Sequence, residues 1–134
     1  MVSFPDVELV LLSLLDEFGY TCTFLPDDKD PVSGLPMWKT LLPVIAVNRV
    51  GGGTDGITDR PLVQVGVFAD TRQQAWSVSG QCRNKILASG GTRVDGVLVD
   101  SARESQGVQQ FPDLNPDNKF VASTFQLSFR RVFA

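Results

Sequence analysis

The sequence of 134 residues contains no histidine and only two cysteines, Cys22 and Cys82. Ordinary zinc sites draw on these two residue types, and a Ser/His/Asp triad needs a histidine. The two cysteines are far apart in the chain and form no CxxC pair, so we interpret both as small, buried apolar residues. These absences predict a protein without a metal centre, without a bound cofactor and without enzymatic activity.

The sequence also has no excess of basic residues and no long apolar run. Lys and Arg number 12 and Asp and Glu 15, a formal net charge of −3, whereas a sequence-independent nucleic-acid binder normally carries a basic face. No stretch approaches the roughly 18 apolar residues of a membrane span, and the N-terminus lacks the basic start and cleavage site of a signal peptide. We expect a protein that is made in the cytoplasm and does not bind membranes.

The apolar composition is sufficient for one domain. Hydrophobic residues make up 43% of the chain, and a chain of this length buries about two-thirds of the surface that it exposes when unfolded. We therefore predict a single domain over residues 1–134 that needs neither a metal nor a disulfide for its stability.

The central stretch, residues 43–70, predicts a long β-hairpin. Two runs rich in β-branched residues flank a polar connection that holds a Gly51–Gly53 triplet and Gly56. Because glycine does not favour continued strand pairing, residues 51–59 are expected to form an unpaired tip that projects from the sheet. A structural hairpin needs only a two-residue turn, so a tip this long predicts a contact with another subunit or a larger assembly.

Two segments resemble ligand sites only superficially. The glycine-rich tip is similar to a phosphate-binding loop, but Asp55 and Asp59 place carboxylates in it and a strand follows instead of Lys-Ser/Thr and a helix. Asp27, Asp28 and Asp30 raise the alternative of a calcium site, but the segment lacks the glycine and terminal glutamate of a calcium loop. We interpret the first as a hairpin connection and the second as a solvated acidic turn.

Apolar residues at three-and-four spacing predict helices over residues 5–18 and 71–89. Ser3 is expected to cap the first helix, and Thr71, or Asp70 immediately before it, the second. The predicted buried stripes are Val7, Val10, Leu11, Leu14, Leu15 and Phe18 in the first helix and Ala75, Val78, Cys82 and Ile86 in the second.

Further strands are predicted over residues 20–25, 94–105 and 119–133, with irregular loops at residues 26–42 and 107–118. The last strand alternates clearly, which predicts one packed face. Its expected inward residues are Val121, Phe125, Leu127, Phe129 and Phe133.

The resulting element order is α-β-β-β-α-β-β. It predicts an α+β fold, in which a mainly antiparallel sheet of four or five strands carries two helices packed on one face. The opposite face is expected to be polar and exposed. A small domain with one helical layer and several strand edges commonly completes itself by association.

Four segments carry a family resemblance: PDVELVLLSLLDEFGY near the N-terminus, VNRVGGGTDGITDRPLVQVGVFADTRQQAW, VDGVLVDSARES and the closing SFRR. Together they resemble the tail terminator proteins of long-tailed bacteriophages, especially phages of actinobacteria. The resemblance covers nearly the whole chain, and RVGGGTDGITDRP followed by FADTRQQAW is its most specific part.

The resemblance implies a small α/β subunit of the virion that forms a hexameric ring on the last ring of tail-tube protein. Such a ring stops tube growth, sits at the tail neck and offers a surface to the head connector, while DNA passes through it without specific binding. No enzymatic activity comes with the family. Two alternatives stay open: another connector, head-completion or tail-tube subunit, and, from a different class, a small hydrolase or ligand-binding domain.

For a ring-forming subunit, we predict that the hairpin tip and the charged strand ends contact a neighbouring subunit or the tube. Some of the arginines at these ends are expected to pair with Asp55, Asp59, Asp70 or Asp100 of an adjacent subunit, because charges can fix the register of a repeated contact. The alternative is that these arginines are solvated surface charges. The predicted contact residues are Arg49, Gly51, Gly52, Gly53, Asp55, Asp59, Arg60, Arg72, Arg130 and Arg131.

Overall fold

A five-stranded sheet with helices on one face organises the fold. The computed structural model describes residues 2–26, 28–110 and 120–133. Its helices are α1 (Val7–Leu14), α2 (Met37–Thr40) and α3 (Arg72–Ala88), and a 3-10 turn (Asp16–Phe18) follows α1. Its strands are β1 (Val2–Ser3), β2 (Tyr20–Cys22), β3 (Val44–Thr54), β4 (Thr58–Phe68), β5 (Arg93–Val94), β6 (Val97–Leu98), β7 (Ser101–Gln110), β8 (Phe120–Arg130) and β9 (Val132–Phe133).

The sheet runs in the order β2-β3-β4-β8-β7. β2 lies parallel to β3, with Tyr20 opposite Val44, and the other neighbouring pairs are antiparallel. Two-residue strands form separate ribbons, β1 with β9 and β5 with β6. This α+β architecture confirms the predicted fold class and the predicted order of the main elements.

The core lies between the sheet and the helices α1 and α3. Both helices turn their predicted apolar stripes inward, where Leu11 and Ile86 are fully buried. The predicted alternation of β8 is confirmed, since Phe125, Leu127 and Phe129 are fully buried in the same core. Burial of each side chain of this size contributes about 1.5–3 kcal/mol. Other members of the core are Val7, Leu15, Ile45, Val47, Val63, Val65, Val67, Ala75 and Cys82.

Both long helices have capped starts, but the cap of α1 is not the predicted residue. Asp6 Oδ1 accepts a hydrogen bond from the N–H of Glu8 at 2.9 Å. Ser3 cannot cap the helix, because it is paired with β9 in the β1 ribbon, before the helix starts. The start of α3 is confirmed, since Thr71 Oγ1 accepts a hydrogen bond from the N–H of Gln74 at 3.0 Å.

The Gly51–Gly53 triplet is paired with β4, so the prediction of an unpaired tip over residues 51–59 is wrong. Gly51 lies opposite Leu62, pairing continues to the end of β3, and only residues 55–57 lie between the two strands. Gly52 has φ +91°, and a Cβ atom there would stand 2.1 Å from the carbonyl oxygen of Arg60. Glycine here permits a close continuation of the hairpin.

The predicted third strand, residues 94–105, is broken by a turn. Asp95 and Gly96 have φ of 50° and 80° and connect β5 to β6. Asp-Gly is the usual sequence of a two-residue hairpin turn with positive φ at both positions, and it outweighs the apolar run around it. The long strand β7 therefore starts at Ser101 and extends into the loop predicted for residues 107–118. The rest of that loop lies outside the described residues.

The face opposite the helices is partly covered, which corrects the expectation that it is polar and exposed. The ring of Trp38, on α2, lies 5.3 Å from that of Phe68, which lies 4.5 Å from that of Phe120. Gly66 makes room for this stack, because a Cβ atom there would come within 2.6 Å of the Phe120 ring. Trp38 thus pins the loop of residues 26–42 to the sheet.

Candidate assembly interface

The distal part of the β3–β4 hairpin, residues 50–60, forms what we call the arm. A register shift between Arg49 and Gly51 leaves Val50 as a bulged residue at its base. Beyond the bulge, the two strands pair up to Thr54. Val50 and Ile57 are among the exposed large apolar side chains of the molecule, so the arm presents apolar side chains next to a glycine backbone.

The arm ends in a loop that is held by its own aspartate. Asp55 Oδ1 accepts hydrogen bonds from the N–H groups of Thr58 at 2.7 Å and Ile57 at 2.9 Å, and Asp55 Oδ2 accepts one from Arg60 at 3.3 Å. The pKa of the Asp55 carboxyl is lowered to about 2, most strongly by the hydrogen bond from Thr58, next by that from Ile57 and finally by the Arg60 guanidinium group. The carboxylate is therefore charged at neutral pH and closes the turn in an arrangement common for Asp.

The base of the arm is held by a pair of hydrogen bonds between Arg49 and Asp59. The two terminal guanidinium nitrogens of Arg49 donate to the two carboxylate oxygens of Asp59 at 3.1 and 3.0 Å. The Asp59 side chain is only 5% exposed, whereas that of Arg49 is 38% exposed. The N–H of Arg49 also donates to Glu8 of α1 at 3.0 Å. These contacts tie the bulge to the strand opposite and to the helical layer.

The other predicted arginines lie at two ends of the sheet. Arg130 pairs with Asp100 at 3.8 Å, and the N–H of Arg131 donates to the Ile57 carbonyl oxygen at 3.2 Å. Arg72 is the first residue of α3, beyond the opposite end of β4. The strand β4, of 11 residues, spans roughly 33 Å. Arg72 is therefore remote from the arm.

A polar hollow of about 340 Å³ opens on the sheet face opposite the helices, beside the arm. Arg103 on β7 donates to the amide oxygen of Gln126 on β8 at 2.7 Å, and Ser101 and Ser128 hydroxyls meet at 2.5 Å. Hydroxyl, amide and guanidinium groups of this kind can hydrogen-bond to polar groups of another protein. The hollow is lined by Thr58, Arg60, Asp100, Ser101, Arg103, Gln126, Leu127 and Ser128.

An apolar groove of about 200 Å³ lies on the same sheet face, away from the arm. Its floor includes Ala46, Phe68 and Phe120, and residues 23–25 form its wall. The Phe24 side chain is 77% exposed at the rim. The face is therefore divided into an apolar part beside β2 and a polar part beside the arm.

The described residues contain no candidate metal site and no ionised thiol. Among them, no group of three or more His, Cys, Asp or Glu side chains could hold a metal ion. Burial raises the pKa of the Cys82 thiol to about 12 and also raises that of Cys22, so both thiols are protonated at neutral pH. Within the same part of the chain, no helix is long and apolar enough to cross a membrane.

The acidic segment for which a calcium site was the alternative forms a turn in its described part. Asp30 accepts hydrogen bonds from the N–H of Val32 at 3.2 Å and from the Ser33 hydroxyl at 2.9 Å. These bonds lower the pKa of the Asp30 carboxyl. Asp27 lies outside the described residues.

The sequence matches the family model of the phage tail termination protein over residues 3–133. The chain belongs to this family. A search among curated proteins finds no match. Membership makes the chain a structural virion protein of the tail end that interacts with other tail or head proteins. The predicted tail terminator family is thus confirmed, whereas an origin in an actinobacteriophage stays a prediction.

The tail terminator gathers nine of the ten predicted contact residues at the arm end of its sheet and leaves Arg72 at the other end. Arg49, Arg60 and Arg130 have partners within the same chain, which account for these charges without a second subunit. Their contact with a neighbouring subunit stays a prediction.

Sequence reasoning missed Arg103 and Gln126, which line the polar hollow of the tail terminator. The alternation of side chains between the two faces of β7 could have identified them, once the strand is taken to begin at Ser101. That start becomes visible only when the turn at Asp95 and Gly96 is recognised, because the apolar residues that follow the turn then belong to the short strand β6.

Proposed function

We propose that this tail terminator assembles into a hexameric ring on the end of the tail tube, where it stops tube growth. The observation that carries this proposal is the match to the tail termination family over residues 3–133. A ring on the last layer of tube protein would occupy the surface on which the next layer assembles.

The distribution of surfaces on one subunit supports a ring. The arm and the polar hollow lie at one end of the sheet, and the apolar groove beside β2 lies elsewhere on the same face. A contact between two different surfaces of identical subunits is heterologous, and such contacts close into rings when the rotation between subunits allows it.

We further propose that the ring is the joint between the tail tube and the head connector, so that it occupies the tail neck of the virion. The protein would be made in the host cytoplasm and added to the finished tube. DNA would pass through the ring without specific binding, and the net charge of −3 argues against a sequence-independent nucleic-acid binder.

The ring is tested by mixing the purified chain with purified tail-tube protein and imaging the tube ends by electron microscopy. We expect a cap with sixfold symmetry at a tube end and six chains per cap by native mass spectrometry. Tubes that grow at the same rate with and without the chain, and that carry no cap, would contradict the proposal.

We also propose that the chain is not an enzyme, because it has no histidine and both thiols are protonated at neutral pH. A ligand present at a hundred times its Kd would stabilise the folded state by about 2.7 kcal/mol. We therefore expect no change in melting temperature with ATP, GTP or a divalent metal. A clear increase with any of them would overturn this expectation.

A further inference from the structure

Two strand edges are open at opposite sides of the sheet. β2 covers β3 only from Val44 to Ala46, and among the described residues no strand pairs with Gly51–Thr54 on the side away from β4. Between these stretches, the N–H of Arg49 is taken up by Glu8. On the other side of the sheet, β8 is the one strand of the described ranges that pairs with β7.

The two open edges agree in length. The regular part of the β3 edge runs from Gly51, after its bulge, to Thr54, where the strand ends. The regular part of the β7 edge runs from Ser101, where the strand starts, to Glu104, before its first irregularity. Each edge therefore offers four consecutive residues without a register shift, and within the β3 edge Gly52 departs from extended backbone with φ +91°.

The directions of the two strands also suit pairing between copies. β3 is antiparallel to β4, β4 to β8 and β8 to β7. Because three reversals separate them, β3 and β7 of one chain run in opposite directions. The β7 edge of one copy can thus pair with the β3 edge of a second copy as an antiparallel ladder, and the alternation of strand direction continues across the boundary.

The protection of the two edges is partial. Soluble proteins commonly place charged residues, especially Lys, or Pro on exposed edges, or interrupt them with bulges. Gly51–Thr54 and Ser101–Glu104 contain no Lys and no Pro, while Arg103 and Glu104 are charged and the bulges lie outside the four residues of each segment. Unpaired edges of this kind are templates for pairing with another chain.

The side chains on the two edges are complementary in size. Gly51 and Gly53 lie opposite Leu62 and Arg60, on the sheet face that carries the polar hollow. Ser101 and Arg103 lie opposite Ser128 and Gln126 and line that hollow. Side chains on one edge would therefore meet glycines on the other.

We propose that Ser101–Arg103 of one subunit pairs antiparallel with Gly51–Gly53 of the next, with Ser101 opposite Gly53 and Arg103 opposite Gly51. This inference rests on the proposed ring and names the contact that joins its subunits. Repeated around the ring, the contact leaves no open edge at either segment and joins the individual sheets into one.

Engineered disulfides test the register. Directly opposite residues in an antiparallel pair have Cβ atoms about 4.5–5.5 Å apart, close to the separation of a disulfide. Gly53→Cys is tolerable, because no atom lies within 4 Å of a Cβ atom there. The first variant combines Gly53→Cys with Ser101→Cys, and the second combines Gly51→Cys with Arg103→Cys. After oxidation of the assembled protein, we expect either variant to give a ladder of covalent oligomers on a non-reducing gel.

The matched control combines Gly53→Cys with Ala102→Cys. Ala102 lies opposite Leu127 and packs against the core. Its side chain is therefore on the other face of the sheet from that of Ser101. We expect at least tenfold less cross-linking from this control, and the Gly53→Cys single variant reports any disulfide to Cys22 or Cys82. Each variant is first checked for an unchanged far-ultraviolet circular dichroism spectrum.

The outcomes separate this inference from the proposed function. Rings that assemble but cross-link in neither variant, or that cross-link equally in the control, would overturn the strand pairing and leave the ring intact. A chain that stays monomeric in the presence of tail tubes would overturn the proposed function and the pairing with it. Ladders that are confined to the two designed variants support both.

Discussion

At the residue scale, the contact between Arg49 and Asp59 sets the geometry of the arm. Asp59 is almost fully buried, so its charge is separated from water and depends on the guanidinium group. The pair between Arg60 and Asp55 is different, because both of its side chains are about half exposed. Ion pairs at exposed positions contribute little to stability, whereas a buried carboxylate that loses its partner is costly.

We therefore predict that Arg49→Met destabilises the protein by about 1–3 kcal/mol, the cost of leaving a buried polar group without its partner. Arg60→Met is the matched control and should leave the free energy of unfolding almost unchanged. Both are measured by urea denaturation at neutral pH. Equal losses from the two substitutions would show that Asp59 is not the buried partner that the structure describes.

The low pKa of the Asp55 carboxyl predicts how the stability of the protein depends on pH. Its pKa is lowered from 3.8 to about 2 in the folded protein, so its contribution to stability is complete above the unfolded value and is lost as the pH falls through the folded value. Asp55→Asn keeps an oxygen for the turn but removes the titration. The stability advantage of wild type over Asp55→Asn should be constant from about pH 7 to about pH 5 and should then decrease as the pH falls to about 2. A difference that does not change with pH would contradict the low pKa.

The alternation along β8 predicts opposite outcomes for two neighbouring residues. Phe125 is fully buried, whereas Gln126 lies on the other face in contact with Arg103. Phe125→Ala should cost about 3–5 kcal/mol, as large core truncations do. Gln126→Ala should change stability by no more than about 0.5 kcal/mol, as surface substitutions do. Equal losses in chemical denaturation would mean that both faces of the strand are packed.

At the scale of elements, the arm depends on backbone conformation rather than on side-chain packing. Gly52 combines a positive φ with a close approach to the backbone of β4, whereas a Cβ atom at Gly53 would meet no atom within 4 Å. A side chain at Gly52 would force the two strands apart, because its closest contact is with backbone. The two adjacent glycines thus have different structural roles.

We predict that Gly52→Ala lowers the free energy of unfolding by at least about 1–3 kcal/mol, the usual cost of a strained backbone conformation. Gly53→Ala should be close to neutral or slightly stabilising, because it restricts the unfolded chain without strain in the folded one. Thermal denaturation of the two variants measures this difference. The same loss at both positions would indicate that the arm needs flexible residues rather than one positive φ.

The elements that could be predicted from sequence are those whose signals are local. The apolar spacing of α1 and α3, the Thr71 cap and the alternation around Phe125 all follow from the periodicity of one segment. The Asp95-Gly96 turn was equally local, but Val94 before it and the apolar run Val97–Val99 after it concealed it.

The features that could not be predicted depend on residues distant in sequence. Continued pairing at Gly51 depends on the strand across from it, and the covering of the second sheet face depends on Trp38 meeting Phe68. The charges at the arm end were recognised, but their intramolecular partners follow from the bulge and the strand register. A single sequence does not encode these contacts as a local pattern.

At the scale of the whole molecule, helices cover one face of the sheet, and no strand of the described residues pairs with the outer sides of Gly51–Thr54 and Ser101–Glu104. The four long strands β3, β4, β8 and β7 alternate in direction, so the two strands that carry these edges, β3 and β7, run in opposite directions. A subunit with two different open edges is suited to a head-to-tail contact, and a closed ring satisfies every such contact. Family membership places this chain at the end of the phage tail, where a closed ring would be an effective stop for tube growth.

The central claim, that the chain stops growth of the tail tube, is tested most directly by the distribution of tail lengths. Tails are imaged by electron microscopy from a phage that lacks this protein and from the same phage with the protein restored. We predict tubes of widely variable length without heads in its absence, and tails of one length joined to heads when it is restored. Tails of uniform length joined to heads in its absence would contradict the account.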